Sequence, residues 1–199
     1  MQIAFFDFDG TITTKDTLLE FIKYSKGKPR FYLGFLLSSP WIMAYKLKII
    51  SNQKAKERVL RFFLRSTPVG TFQQSCDAFA ANVLPDLLRP KALHEIDQLK
   101  KNGFTIVIVS ASPENWIRKW SDQMGLDLLA TKLGTTSASG VQKLTGNIQD
   151  ANCYGQEKVR RINEAYTLTD YNDIYTYGDT PGDRPMLRLG TISFYKPFR

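Results

Sequence analysis

Apolar and polar positions follow two rhythms along this chain. Ile3-Ala4-Phe5-Phe6 and Phe104–Val109 are short apolar runs, the second mostly β-branched, and both read as buried strands. Leu128–Leu133, Asp173–Tyr177 and Thr191–Tyr195 predict further short strands. Between them the repeat lengthens to that of a helix. Pro90–Lys101 is amphipathic, begins on proline and stops at Asn102-Gly103. Ser112-Pro113-Glu114 opens another helix, and Gln156–Tyr166 carries a third. Val141–Ile148, with Thr145-Gly146 inside it, reads as a hairpin or an extended excursion. Strands alternating with helices predict an α/β fold built on a doubly wound parallel sheet.

Residues 15–85 interrupt the alternation. They read as helical, with apolar positions at Leu18, Leu19 and Ile22 and again at Val59, Leu60, Phe63 and Leu64. Gly27-Lys28-Pro29 and Ser38-Ser39-Pro40 are expected to break this stretch into pieces. The expected organisation is a core of residues 1–14 and 86–199 with residues 15–85 inserted as a helical unit. At 199 residues and 43% hydrophobic content, the chain is long enough for one domain plus such an insertion. Cys76 and Cys153 form no C-x-x-C and read as free thiols of a reducing compartment. No basic, apolar and cleavable leader opens the sequence, so cytoplasmic residence is expected.

Charge singles out the insertion. The net charge is +8, and between Lys15 and Pro85 there are 12 Lys/Arg against 4 Asp/Glu. The remainder balances, so the whole excess lies in this one segment. No acidic residue occurs between Phe21 and Lys56. Such a surface attracts an anionic substrate or an anionic membrane. Phe31–Ile50 is also strongly apolar, but only 15 residues separate Arg30 from Lys46, against about 20 for a spanning helix. The stretch reads as a buried hairpin of the insertion. The alternative places it in a membrane interface, with Tyr32, Trp41 and Tyr45 at headgroup level, making the protein peripheral to the membrane. No nucleic-acid recognition module is visible, and no nucleic-acid partner is expected.

The candidate chemistry begins at Asp7-Phe8-Asp9-Gly10-Thr11, directly after the first strand. Residues i and i+2 of a strand point the same way, so both carboxylates leave its C-terminal end together. That end is where ligands sit in an open α/β sheet. Paired carboxylates there need a cation or a shared proton. The pentapeptide resembles the D-x-D-G-T motif of the haloacid dehalogenase-like phosphatases. Three further segments resemble that family's motifs, in the same order. They are Ser110 ending Ile106-Val107-Ile108-Val109, Lys158 in Gly155-Gln156-Glu157-Lys158-Val159, and Gly178-Asp179-Thr180-Pro181-Gly182-Asp183-Arg184-Pro185-Met186-Leu187. The core is most similar to subfamily IB, the phosphoserine phosphatase-like group.

The resemblance implies a Mg²⁺-dependent phosphomonoester hydrolase whose insertion is a C1-type cap. It implies Asp7 as nucleophile forming an aspartyl-phosphate, Asp9 as acid and base, and Lys158 as the charge-neutralising cation. Mg²⁺ is then held by the Asp7 carboxylate, the Asp9 backbone carbonyl and Asp179, with Asp183 acting through water or by fixing Asp179 and Lys158. Thr11, Ser110 and Ala111 are expected around the phosphate. For phosphoserine as substrate, Asp16 and Arg58 stand where that group carries its amine- and carboxylate-binding residues, though Asp16 is shorter than the usual Glu. The apolar cap also resembles phosphatidylglycerophosphate phosphatases, which makes a lipid phosphate the alternative substrate. A non-catalytic phospho-ligand binding module and a phosphotransferase are the remaining alternatives.

Overall fold

The computed structural model describes residues 1–138 and 140–199. The strands are β1 (Gln2–Phe6), β2 (Thr105–Pro113), β3 (Asp127–Thr131), β4 (Leu133–Ala138), β5 (Val141–Ile148), β6 (Asp173–Gly178) and β7 (Ile192–Tyr195). The helices are α1 (Thr17–Lys26), α2 (Lys28–Lys46), α3 (Asn52–Leu64), α4 (Val69–Asn82), α5 (Leu84–Leu87), α6 (Pro90–Lys101), α7 (Arg118–Met124), α8 (Gln156–Ala165) and α9 (Arg184–Leu187).

Five strands form one parallel sheet in the order β3-β2-β1-β6-β7. Strand β1 lies at its centre, with Phe5 opposite Val107 on one side and Thr176 on the other. Alternate residues feed opposite faces. Ala4, Phe6, Ile106 and Ile108 join one core with Ile96 and Leu99 of α6. Ile3, Phe5, Val107 and Val109 join a second with Ile162 of α8 and Met186 of α9. Both faces are therefore covered, which is why these strands read as unbroken apolar runs. After β1 the chain builds outward through β2 and β3, then returns to lay β6 against the other edge of β1. The topological switch point falls between β1 and β6, where a doubly wound sheet leaves a crevice at its strand ends.

The hairpin expected at Val141–Ile148 is the return strand of an antiparallel pair with β4. It grips the turn between α3 and α4: Ser66 N donates to Leu144 O, and Leu144 N donates to Thr67 O. The first expected break in the helical stretch occurs, at Gly27. The second does not, because α2 runs through Pro40 to Lys46. Proline lacks the N–H that would reach the Leu36 carbonyl. The Ser39 hydroxyl donates to that carbonyl instead, at 2.7 Å, so the turn keeps a partner. Phe31–Ile50 is therefore no hairpin. Its first sixteen residues belong to one helix that packs on α1 and α3.

The α2–α3 contact is close because Gly34 has no side chain. A Cβ there would run into the rings of Phe62 and Phe63. Gly34→Leu is expected to destabilise the fold by about 1–3 kcal/mol through overpacking. Urea unfolding should show a lower midpoint at an unchanged slope.

Candidate active site

Four elements converge at the switch point. Asp7 follows the last residue of β1, and its N–H donates to Tyr177 O at the end of β6 at 2.9 Å. The chain then turns tightly through residues 8–12, with Gly10 at φ +82°. Gly10 is required twice over, since a Cβ would also collide with the Asp179 carboxylate. Asp179 follows the end of β6, and Asp183 lies in the short turn before α9. Lys158 projects from the first turns of α8 on the same face as buried Ile162. Arg161 pins that helix to β3 and to the loop after β5 by donating to Ala130 O (2.6 Å) and Ala151 O (2.7 Å).

The Lys158 ammonium is 1% exposed. It donates to Asp7 Oδ1 at 2.6 Å and Asp183 Oδ1 at 2.7 Å. Burial opposes its charge, but the two carboxylates outweigh burial and raise its pKa, so it stays an ammonium. Burial pushes Asp7 up to about 7, with the Asp183 and Asp9 charges adding to that and Lys158 opposing it. Burial and the Asp183 charge also raise Asp179. Asp183 goes the other way: burial is outweighed by Lys158 and by Thr180, whose N–H and hydroxyl donate to Oδ2 at 2.9 and 2.7 Å.

Asp7, Asp179 and Asp183 can each turn one carboxylate oxygen to within 4.8 Å of the others'. Three buried carboxylates lie around one buried ammonium, and the Arg199 guanidinium pairs with Oδ2 of Asp179. The cluster thus carries surplus negative charge on hard oxygen donors. It fits a small divalent cation, the class expected from the sequence. The Asp9 side chain is not part of the cluster. Its Oδ1 accepts from Thr17 N and Thr17 Oγ1, both at 2.7 Å, and its Oδ2 from Ser112 Oγ at 2.6 Å. Trp116 Nε1 in turn donates to Thr17 Oγ1 at 3.0 Å. Carboxylates that leave β1 together are thus aimed at different partners.

A cavity of about 470 Å³ opens above Asp7, Asp9 and Asp179. Its floor includes Ala111 and Ser112, and its far wall is Phe35, Ile42 and Tyr45 of α2 with Val59 of α3. Thr11 donates to Asp7 Oδ2 at 3.1 Å beneath it. Ser110 is fully buried and its hydroxyl accepts from Ser112 N at 3.0 Å, so Ala111 and Ser112 face the cavity in its stead. Asp16 caps α1 by accepting from Leu19 N at 3.1 Å and also lines the cavity.

Arg58 is not brought there. Its guanidinium stacks over the Trp41 ring, 5.0 Å from the centroid. Lys56 occupies the wall instead, donating to Ala111 O (2.6 Å) and Asn152 Oδ1 (3.2 Å). Two residues of helix turn the side chain by about 200°, so Lys56 and Arg58 face opposite ways. Thr17, Ser112 and Lys56 are the contributors that motif reading passes over. Only helix phase could have distinguished Lys56 from Arg58.

Comparison with known proteins accords with this geometry. Protein CicA of Caulobacter vibrioides is 34% identical over 194 residues, covering 98% of this chain and 85% of the relative. A protein of unknown function from Bordetella pertussis superposes with a TM-score of 0.78 at 18% identity, over 96% of this chain and 88% of that one. A substrate-bound phosphoserine phosphatase superposes with a TM-score of 0.64 at 17% identity, over 98% and 85%. Those two likenesses are of fold. The family assignment comes from residues 4–188, which match the haloacid dehalogenase-like hydrolases from the first strand to the helix after Asp183. A stretch that carries the whole site and nearly the whole chain leaves one reading: this protein belongs to that family.

Proposed function

We propose that this protein is a Mg²⁺-dependent phosphomonoester hydrolase working through an aspartyl-phosphate on Asp7. One observation carries the reading. A buried carboxylate, paired with a buried ammonium, stands at the floor of a cavity large enough for a small phosphorylated metabolite. In the first half-reaction an Asp7 oxygen bonds to phosphorus as the bond to the leaving oxygen breaks, and Asp9 gives that oxygen its proton. In the second, water attacks phosphorus and returns a proton to Asp9. The Asp7–phosphorus bond breaks and inorganic phosphate leaves. Lys158 holds Asp7 in line and offsets charge, while Thr17 and Ser112 orient Asp9. Mg²⁺, when held by Asp7, the Asp9 carbonyl and Asp179, supplies the positive charge that lets an anionic nucleophile approach an anionic phosphate.

Residues 15–85 serve in this reading as a cap, because α1, α2 and α3 supply the walls of the cavity. The fold shared with phosphoserine phosphatase supports a substrate of that size. Asp16 then faces a substrate amine. Lys56, in place of Arg58, faces a substrate anion with the one ammonium proton its two protein partners leave free.

Phosphate release from a panel of phosphomonoesters tests the reading. EDTA should stop turnover and Mg²⁺ should restore it. Asp7→Asn should lower the rate about 10⁴-fold or more while melting near the wild-type temperature. A variant as fast as wild type would remove Asp7 as nucleophile. Lys56→Met should raise KM about tenfold, the worth of one charged contact, with little change in kcat. Burial, opposed by Asp16 and Asp9, pushes the Lys56 pKa down to about 8. The ammonium is therefore lost as pH rises through that value, and wild-type KM should climb there. In Lys56→Met the climb should vanish; a KM that climbs equally in both proteins sinks the assignment.

A further inference from the structure

Helix α2 is apolar on both sides. Phe31, Gly34, Phe35, Ser38 and Ile42 recur at helical spacing and face inward. Tyr32, Leu33, Leu36, Leu37 and Met43 recur on the other side and face outward, Leu36 being 69% exposed. Among the described residues, eight of the fourteen exposed large apolar side chains lie between Tyr32 and Ile49. A helix that is apolar all round is ordinarily buried all round. Here the inner side packs on α1 and α3, and the outer side faces solvent.

The flanking charge selects the occupant. Lys28 and Arg30 stand at the start of α2, Lys46 and Lys48 at and beyond its end, all exposed. No acidic residue lies between Phe21 and Lys56 to balance them. A second copy meeting this face symmetrically would bring two such basic clusters together, and like charges repel. An anionic bilayer surface offers both an apolar layer for the leucines and negative headgroups for the lysines and arginine. No helix of the described residues is long and apolar enough to cross a membrane, so the contact is one of docking.

We propose that the outer face of α2 docks on an anionic lipid surface. Leu33, Leu36, Leu37 and Met43 enter the acyl boundary, and Lys28, Arg30, Lys46 and Lys48 meet the headgroups. The inner face of the same helix supplies Phe35, Ile42 and Tyr45 to the active-site cavity, so docking sets that wall of the cavity next to the membrane. This goes beyond the hydrolase reading and does not rest on it.

Co-sedimentation with vesicles of equal parts phosphatidylglycerol and phosphatidylcholine tests it. The protein should bind at low salt, release as salt rises, and ignore pure phosphatidylcholine. Leu33→Glu with Leu36→Glu should weaken binding tenfold or more, and Lys46→Glu with Lys48→Glu should do likewise. These side chains are exposed, so melting temperature and hydrolysis of a water-soluble phosphomonoester should stay at wild-type values. Absence of vesicle binding by the wild type overturns the proposal. So does a leucine pair variant that binds as well as wild type, since the contact would then be charge alone. Concentration-dependent dimers abolished by the leucine substitutions would assign the face to a second copy instead. Sedimentation reads docking even where no ester is hydrolysed, so failure of one reading is separable from failure of the other.

Discussion

The site depends on one shared cation. Lys158 bridges Asp7 and Asp183 inside a shell that excludes water. Stripping water from an ammonium and two carboxylates is costly, and only close, well-directed contacts offset it. The rest of the molecule can be read as what that arrangement demands. The sheet must cross over between β1 and β6 so that Asp7 and Asp179 end on neighbouring strands. Helix α8 must be anchored, which Arg161, midway along it, does through two backbone carbonyls. The turn before α9 must present donors to Asp183, which Thr180 provides. Each support is local, yet Lys158 and Asp7, which they bring together, are 151 positions apart in the chain.

Residues 15–85 meet the rest of the protein through a shared apolar cluster, in which Val59, Leu60, Phe63 and Leu64 pack with Leu144 and Ile148, and through polar contacts at its rim. Lys56 reaches Ala111 O and Asn152, and Asn152 Nδ2 donates to Asn52 Oδ1 at 2.6 Å. Arg61 Nε donates to Asn147 Oδ1, and Glu57 accepts from Ile148 N at 3.2 Å. Phe21 of α1 also stacks on Trp116 at 4.7 Å. Polar contacts exchange with water at modest net cost. On α3 those polar contacts add to a buried apolar face of Val59, Leu60, Phe63 and Leu64.

Much of this was legible in the sequence because the signals were local. Apolar runs gave the β1 and β2 strands, and Pro90 with Asn102-Gly103 bounded α6 as expected. The motif residues Asp7, Asp179, Asp183 and Lys158 meet because strand ends and one helix face fix them. What was not legible depended on side-chain direction or on replacement partners. Pro40 reads as a breaker until Ser39 is seen to satisfy the freed carbonyl. Arg58 and Lys56 differ only in helix phase, which a weak local pattern does not determine. Ser110 reads as the phosphate contact; its oxygen also accepts from Ser112 N, which brings that N–H to the same strand end. The partners of Asp9 come from α1 and β2, so no spacing along the chain announces them. Phe31–Ile50 looks like core because it is as apolar as core; that half of it faces solvent is a matter of three-dimensional surroundings.

The two-sided character of α2 has a thermodynamic consequence. One rigid element is at once a wall of the cavity and an outer surface of the protein. Any shift of that helix changes both environments together. If an occupant of the outer face favours one position of α2 by some factor, a ligand in the cavity that favours the same position gains by linkage, and the two coupling factors must be equal. The magnitude is bounded by how far α2 can move against α3, and Gly34, seated against the rings of Phe62 and Phe63, leaves it little freedom to approach. Coupling between surface and cavity thus takes its sign from the position of α2 that each occupant fits: two that fit the same position strengthen each other, and two that fit different positions weaken each other.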